Sequence, residues 1–309
     1  MDCLLIADDL TGACDAAVPF AVRGRSTSVM LELDAPHAAV VAVNTESRHL
    51  TEAQIPAVIH RVASAFPSPR IVFKKIDSTL RGNPAAEIAA AIQAFHCDAA
   101  IVTPAFPAQG RLVRNGRLNL GDLDVPAVLR ADCHVAPDGV DAAIHSGARI
   151  VSVDAVTDAD LDRIAAAGSH RRILWAGSAG LAAALARQSG GTPAPPRAPR
   201  SPVHFCIGSD HPVTLAQIDE LRRHRPQSTI LRFDELVDLP PALLLSGGDT
   251  AAAVCRAAGA RRIDLYGEVL PGIPWGVLRC GRFDGVPVIT KSGGFGAPDA
   301  LIRIAEFFE

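Results

Sequence analysis

Short all-apolar runs alternate with helix-patterned stretches along almost the whole chain, and no other feature narrows the fold as much. Residues 2–7 form an apolar strand that ends in Asp8-Asp9-Leu10-Thr11-Gly12. The helix after it carries Ala13, Ala16, Ala17, Phe20 and Ala21 on its apolar face. Strands are expected at 27–31, 39–43, 71–76 and 99–102. Helices are expected at 51–66, with Thr51 as N-cap, and at 83–95, with Pro84 in the first turn. The span 110–150 is glycine-rich and reads as loops, with a hairpin at Asn115-Gly116. Strand 150–153, helix 158–167, strand 172–175 and a helix running to Arg187 restore the rhythm. Such short apolar strands, separated by helices, predict an α/β fold with mostly parallel sheet covered by helices on both faces.

The run SGGTPAPPRAPRSP breaks the pattern and reads as a linker. It divides the chain into a domain over 1–188, a linker over 189–201 and a domain over 202–309. The second domain repeats the rhythm with strands at 203–207, 229–233, 242–245, 262–266, 277–282 and 287–290. Its helices fall at 214–223, 250–258 and 299–308.

Composition excludes several classes. With 49% hydrophobic and 20% charged residues the 309-residue chain is globular rather than disordered. A net charge of −3 argues against a nucleic-acid partner. No apolar run approaches the ~20 residues that span a bilayer. Asp8 and Asp9 cut the first apolar run too short for a signal peptide, so a cytoplasmic, membrane-free protein is expected. The seven cysteines contain no Cys-x-x-Cys pair and are read as reduced and mostly buried. No histidine spacing suggests a zinc site. Among the 30 basic residues only Lys74, Lys75 and Lys291 are lysines. In an arginine-rich chain, a retained lysine can mark a place that needs a compact point charge, and Lys75 or Lys291 is expected in an active site.

In a parallel sheet, ligands bind beyond the carboxyl ends of the strands. The segments there are Asp8, Asp9 and Thr11; residues 44–48, ending in Arg48; residues 75–83, with Lys75, Asp77, Ser78 and Arg81; and residues 104–111, ending in Arg111. Carboxylates, hydroxyls, one or two lysines and three arginines suit a small, anionic, polyhydroxylated ligand. Arg48 and Arg81 can each grip a carboxylate with two parallel hydrogen bonds. Asp9 and Asp77 can accept sugar hydroxyl protons. Taken singly, Asp8 can be a helix cap, Asp77 can pair with Lys75 or Arg81, and Arg111 can be a solvated surface residue.

The second half offers glycine turns. Gly208-Ser209 follows a strand. Ser246-Gly247-Gly248-Asp249-Thr250 follows another and opens a helix. Gly267-Glu268 and Pro271-Gly272 are read as loops, and Lys291-Ser292-Gly293-Gly294-Phe295-Gly296 follows the last strand. Glycine at such turns lets backbone N–H groups reach phosphate oxygens. Neither a Walker A motif nor a GxGxxG fingerprint is present, which disfavours a dinucleotide-dependent dehydrogenase.

Residues 7–13 (ADDLTGA), 74–83 (KKIDSTLRGN) and 104–111 (PAFPAQGR) resemble the N-terminal domain of the four-carbon acid sugar kinase family. Residues 246–250 (SGGDT), 267–271 (GEVLP) and 291–296 (KSGGFG) resemble its nucleotide-binding C-terminal domain. The resemblance implies two Rossmann-like domains and ATP- and Mg2+-dependent phosphorylation of a threonate, erythronate or 3-oxo-tetronate. It places the sugar acid at Asp8, Asp9, Arg48, Lys75, Asp77, Ser78 and Arg81. It places the nucleotide at Ser209, Gly247, Gly248, Asp249, Thr250, Lys291, Gly293, Gly294 and Gly296. Asp9, Asp77 and Asp249 are the catalytic candidates; the metal ligands and any homo-oligomer stay open. Two departures stand out. The C-terminal domain is shorter than the family's, and His211 stands where the family has a small hydroxyl residue. A shortened homologue that binds the sugar acid without turning it over is the alternative.

Overall fold

The computed structural model describes residues 1–35, 38–168, 171–193, 198–236 and 238–309. Residues 194–197 of the expected linker lie outside the described residues. Its flanks are tied to the body: Arg25 Nη2 donates to the Ser189 carbonyl at 2.8 Å, and Ser201 N donates to the Phe308 carbonyl at 2.7 Å.

The strands before the linker are β1 (Cys3–Ala7), β2 (Thr27–Met30), β3 (Val40–Asn44), β4 (Ile71–Lys75), β5 (Ala99–Thr103), β6 (Val113–Arg114), β7 (Arg117–Leu118), β8 (Leu123–Asp124), β9 (Cys133–Val135), β10 (Ile150–Val153) and β11 (Ile173–Gly177). The helices there are α1 (Leu10–Val22), α2 (Ile55–Ala65), α3 (Pro84–Ala94), α4 (Val125–Leu129), α5 (Val140–His145), α6 (Asp158–Ala166) and α7 (Ala179–Gln188). After the linker come β12 (Val203–Ile207), β13 (Ile230–Leu231), β14 (Ala242–Ser246), β15 (Arg262–Leu270), β16 (Ile273–Arg279) and β17 (Pro287–Lys291). They alternate with α8 (Pro212–His224), α9 (Gly248–Ala257) and α10 (Ala300–Phe308).

The strands of the two halves do not form two separate sheets. They join edge to edge into one 14-stranded sheet, ordered β13-β12-β14-β17-β16-β15-β2-β3-β1-β4-β11-β5-β10-β9. The sheet is mostly parallel, as the apolar strands predict, but β15, β16 and β17 pair antiparallel, and β15 joins β2 in the same sense. The seam has its own polar clamp. Asp264 on β15 accepts from Ser28 Oγ on β2 at 2.8 Å and from Arg279 Nε on β16 at 2.7 Å. One apolar core runs from β1 and α1 across the seam to α9 and β14, and a smaller one packs α10 against β12 and β16.

Three local expectations are corrected. Gly267 and Glu268 lie on β15 rather than in a loop; two register shifts there interrupt the alternation by which a strand is recognised in sequence. The strand expected at 229–233 shrinks to Ile230–Leu231 at the sheet edge. Residues 110–150 contain α4, α5 and β9, each too short to show a periodicity. The hairpin at Asn115-Gly116 is present, with φ of 50° and 75° as a type I′ turn needs.

Candidate active site

Asp9 is set by the end of β1. The chain leaves the sheet there, Asp9 takes extended backbone as the N-cap of α1, and its Oδ1 accepts from Gly12 N at 2.9 Å. Its Oδ2 accepts from Thr11 Oγ1 at 2.9 Å and from Arg48 Nη1 at 3.1 Å. Asp8 is buried beneath it and does not line the cleft described below. Arg48 grips Asp8 side-on, donating from Nε at 2.8 Å and Nη2 at 3.0 Å. Burial alone would keep Asp8 neutral, but Lys74 and Arg48 outweigh it and hold the carboxyl below its usual range.

The turn after β4 builds the rest of this wall. Asp77 accepts from Arg81 Nε at 3.0 Å and Nη2 at 2.7 Å, and also from Thr79 Oγ1. Burial opposes its ionisation; Arg81, Lys75 and Thr79 overcome that and pull it well below the usual carboxylate range. Lys75 Nζ donates to the Ile76 carbonyl at 2.9 Å. Lys74 points the other way, fully buried, with Nζ 3.1 Å from Glu87 Oε1.

The opposite wall comes from the second half. Gly247, at φ 102°, turns the chain from β14 into α9, a conformation that glycine supplies without strain. Ser209 lies under the 291–296 loop: a β-carbon on Gly293 would stand 2.2 Å from its Oγ. Thr214 Oγ1 donates to the Gly293 carbonyl at 2.7 Å, and Gln217 Nε2 donates to the carbonyls of Phe295, Gly296 and Ala297. His211 caps α8, its Nδ1 accepting from Val213 N at 3.2 Å. Lys291 is fully buried behind the loop. Its Nζ donates to the carbonyls of Ser292 and Gly293 at 3.2 and 3.3 Å, and burial lowers its pKa to about 8.

Both walls face one cleft of about 710 Å³. It gathers Asp9, Arg48, Lys75, Asp77, Ser78 and Arg81 with Ser209, Gly247, Gly248, Asp249, Thr250, Gly293 and Gly294. Asp8, Lys291 and Gly296 are outside its lining. Across the cleft, Ser292 Oγ donates to Thr11 Oγ1 at 3.2 Å, and His49 Nε2 stands 3.9 Å from Asp249 Oδ1.

Asp15 and Arg111 also line the cleft. Asp15 belongs to α1, and its Oδ1 is buried without a partner; burial raises its pKa from 3.8 to about 8 against the pull of Lys75. A lone carboxylate in the apolar run of α1 was the available signal, and helix periodicity hid it. Arg111 is not a solvated surface residue. Its guanidinium lies 5.1 Å from the centroid of the Phe295 ring, and its Nε is buried without an acceptor. No group of three or more His, Cys, Asp or Glu side chains placed to hold a metal occurs among the described residues.

Residues 3–127 and 119–185 match the family described as a sugar-binding N-terminal domain, and 233–301 match a nucleotide-binding C-terminal domain. A D-threonate kinase of Bordetella bronchiseptica is 33% identical over 394 residues, covering 98% of this chain and 96% of the relative. This chain belongs to the four-carbon acid sugar kinase family. Other relatives in it are a D-threonate kinase of Cupriavidus necator, 32% identical with 97% and 96% covered, and a D-erythronate kinase of Heliobacterium modesticaldum, 24% identical with 98% and 96% covered. These alignments are longer than the chain, so each relative carries segments absent here. A crystal structure from Salmonella typhimurium shares the fold, with TM-score 0.82, 18% identity and all of both chains covered. A Bordetella bronchiseptica structure with bound citrate, a domain-swapped dimer, has TM-score 0.54 and 32% identity over 99% of this chain and 98% of that one.

As a member of the four-carbon acid sugar kinase family the chain is a kinase, with a nucleotide as one substrate and a small sugar acid as the other. No helix among the described residues is long and apolar enough to cross a membrane.

Proposed function

We propose that the chain transfers the γ-phosphoryl group of ATP to a hydroxyl of a four-carbon sugar acid, with threonate first among the candidates and erythronate and 3-oxo-tetronate after it. The observation that carries this reading is the single cleft with a carboxylate- and cation-rich wall from the first half and glycine turns from the second. The sugar acid lies against Asp9, Lys75, Asp77 and Ser78. The phosphates lie against the backbone N–H groups of the 246–250 and 291–296 turns, with the α9 N-terminus behind them. On this reading residues 1–188 carry the acid and 202–309 the nucleotide. Lys291 serves by bracing the 291–296 loop from behind.

Phosphoryl transfer asks mainly for positioning and charge neutralisation. Asp9 lies where the two walls meet, which makes it the acceptor for the hydroxyl proton. Asp77 is gripped through both of its oxygens by Arg81, whereas Arg48 reaches Asp9 through a single N–H, so Asp77 suits an orienting role. Mg2+ fits a site of this kind, because it is commonly held by one or two carboxylates plus substrate phosphates rather than by a protein cage. Asp249, whose side chain is 92% exposed in the nucleotide wall, is the carboxylate free to hold it. The ion would neutralise phosphate charge there.

Sugar-acid-dependent ADP release tests the reading, measured with ATP, Mg2+ and each of threonate, erythronate and 3-oxo-tetronate. Release with at least one acid is expected. Tight acid binding with no ADP formed from any of them would favour a binding protein.

A further inference from the structure

Three arginines line the cleft, and their hydrogen-bonding edges are in different states. A guanidinium takes a carboxylate best through two parallel N–H groups. On Arg48, Nε and Nη2 are both occupied by Asp8, and Nη1 by Asp9. On Arg81, Nε and Nη2 are both occupied by Asp77. Arg111 differs. Its Nη1 donates to the Gln109 carbonyl at 2.9 Å, its Nε has no acceptor, and no hydrogen bond from its Nη2 occurs among the described residues.

The surroundings of Arg111 fix the guanidinium and leave its Nε buried without an acceptor at the cleft wall. Phe295 stacks on it, and Phe106 meets Phe295 edge-on at 6.0 Å. Gln109, which holds Nη1, also donates from Nε2 to the Pro271 carbonyl at 3.2 Å in the second half. No ion pair with Arg111 occurs among the described residues, and burial lowers its pKa although Asp77 and Asp15 attract it from farther off. Lys75 in the same cleft donates to a carbonyl and to no carboxylate among the described residues. A buried N–H without an acceptor is costly, and a ligand oxygen would satisfy it.

We infer that Arg111 is the carboxylate receptor of the cleft: its Nε–Nη2 edge takes the carboxylate of the sugar acid side-on, with Lys75 adding charge beside it. The inference rests on the sugar-acid reading above. It assigns to the 104–111 loop the role that the sequence offered to Arg48 and Arg81, whose forks instead shape the wall.

Calorimetry on the full chain tests it, with D-threonate, erythronate, the uncharged tetritols and ADP as probes. Arg111→Gln is expected to weaken the tetronate that the parent binds by about 30-fold or more, the usual loss for a desolvated charged pair. Arg111→Lys, which keeps the charge but not the fork, should recover only part of that loss. Tetritol and ADP affinities should stay within about threefold, because neither carries the group that Arg111 reads; an unchanged ADP affinity also reports a folded variant. Tetronate affinity within about threefold of the parent, or equal losses for tetronate and tetritol, would overturn the inference. A parent chain that binds none of the tetronates would overturn the sugar-acid reading and this inference with it.

Discussion

Gly248 stands so close to Asp9 that a β-carbon on it would lie 2.5 Å from Asp9 Oδ2. The first residue of the nucleotide-side helix thus rests on the carboxylate that caps the first helix of the other wall. The backbone of Gly248 is ordinary, unlike that of Gly247, so contact rather than conformation requires glycine here. Gly248→Ala is therefore expected to keep the fold, with Ala favoured in a helix by up to ~1 kcal/mol. The methyl should push the walls apart and lower kcat/KM about 100-fold, as a misplacement near 1 Å does. Steady-state kinetics beside a melting curve separates the two effects.

Asp249→Asn should bind acid and nucleotide within a few-fold of the parent and turn over far more slowly. Its exposed carboxylate has His49 as a neighbour at 3.9 Å, so little stability depends on it. A rise in the Mg2+ concentration needed for half-maximal rate would be the specific sign. An unchanged rate and an unchanged Mg2+ requirement would leave Asp249 a helix-start residue only.

Asp15 predicts a pH dependence. Its carboxyl titrates near 8 in the folded chain against 3.8 ordinarily, because it is buried, with Glu268 and Asp9 adding repulsion and Lys75 and Arg111 only partly offsetting it. The folded chain therefore holds a proton that the unfolded chain releases between those values. Stability contributed by the neutral carboxyl is full below about pH 4 and declines as pH rises towards 8. Melting temperature should fall across that window in the parent, and Asp15→Asn should flatten the fall. Identical slopes would mean that Asp15 is ionised throughout.

Asp8 and Asp77 act in the opposite direction. Both are held below the ordinary carboxylate range, so their contribution is present above about pH 4 and is lost as pH falls below it. Asp77→Asn should reduce stability at pH 7 and remove part of the acid sensitivity, read from denaturant midpoints at pH 7 and pH 3.

Much of this was legible in the sequence. The apolar strands, the polar clusters at their carboxyl ends and the glycine turns identified the elements, and thirteen of the proposed site residues meet in one cleft. The joining of the halves was not legible. The β2–β15 pairing links segments more than two hundred residues apart, and nothing local to Thr27–Met30 marks it as antiparallel to Arg262–Leu265. Which arginine has a free edge was equally hidden. Arg48, Arg81 and Arg111 look alike as sequence, and only the placement of Asp8, Asp9 and Asp77 shows which forks are occupied. Lys291 reads in sequence as a ligand contact after a strand; in the structure its ammonium donates to the carbonyls of its own loop, which no sequence signal announced. His211, an unexpected residue at its position, caps α8 through its Nδ1, which the sequence did not announce.

Phosphorus NMR of the complete reaction tests the central claim most directly. With ATP, Mg2+ and the tetronate that supports ADP release, the γ-phosphate resonance should be replaced by a phosphomonoester signal on the sugar acid, in step with ADP. Asp9→Asn should abolish that signal while both ligands still bind. Inorganic phosphate as the sole product, or an ester formed equally fast by Asp9→Asn, would contradict transfer between the two walls of this cleft at Asp9.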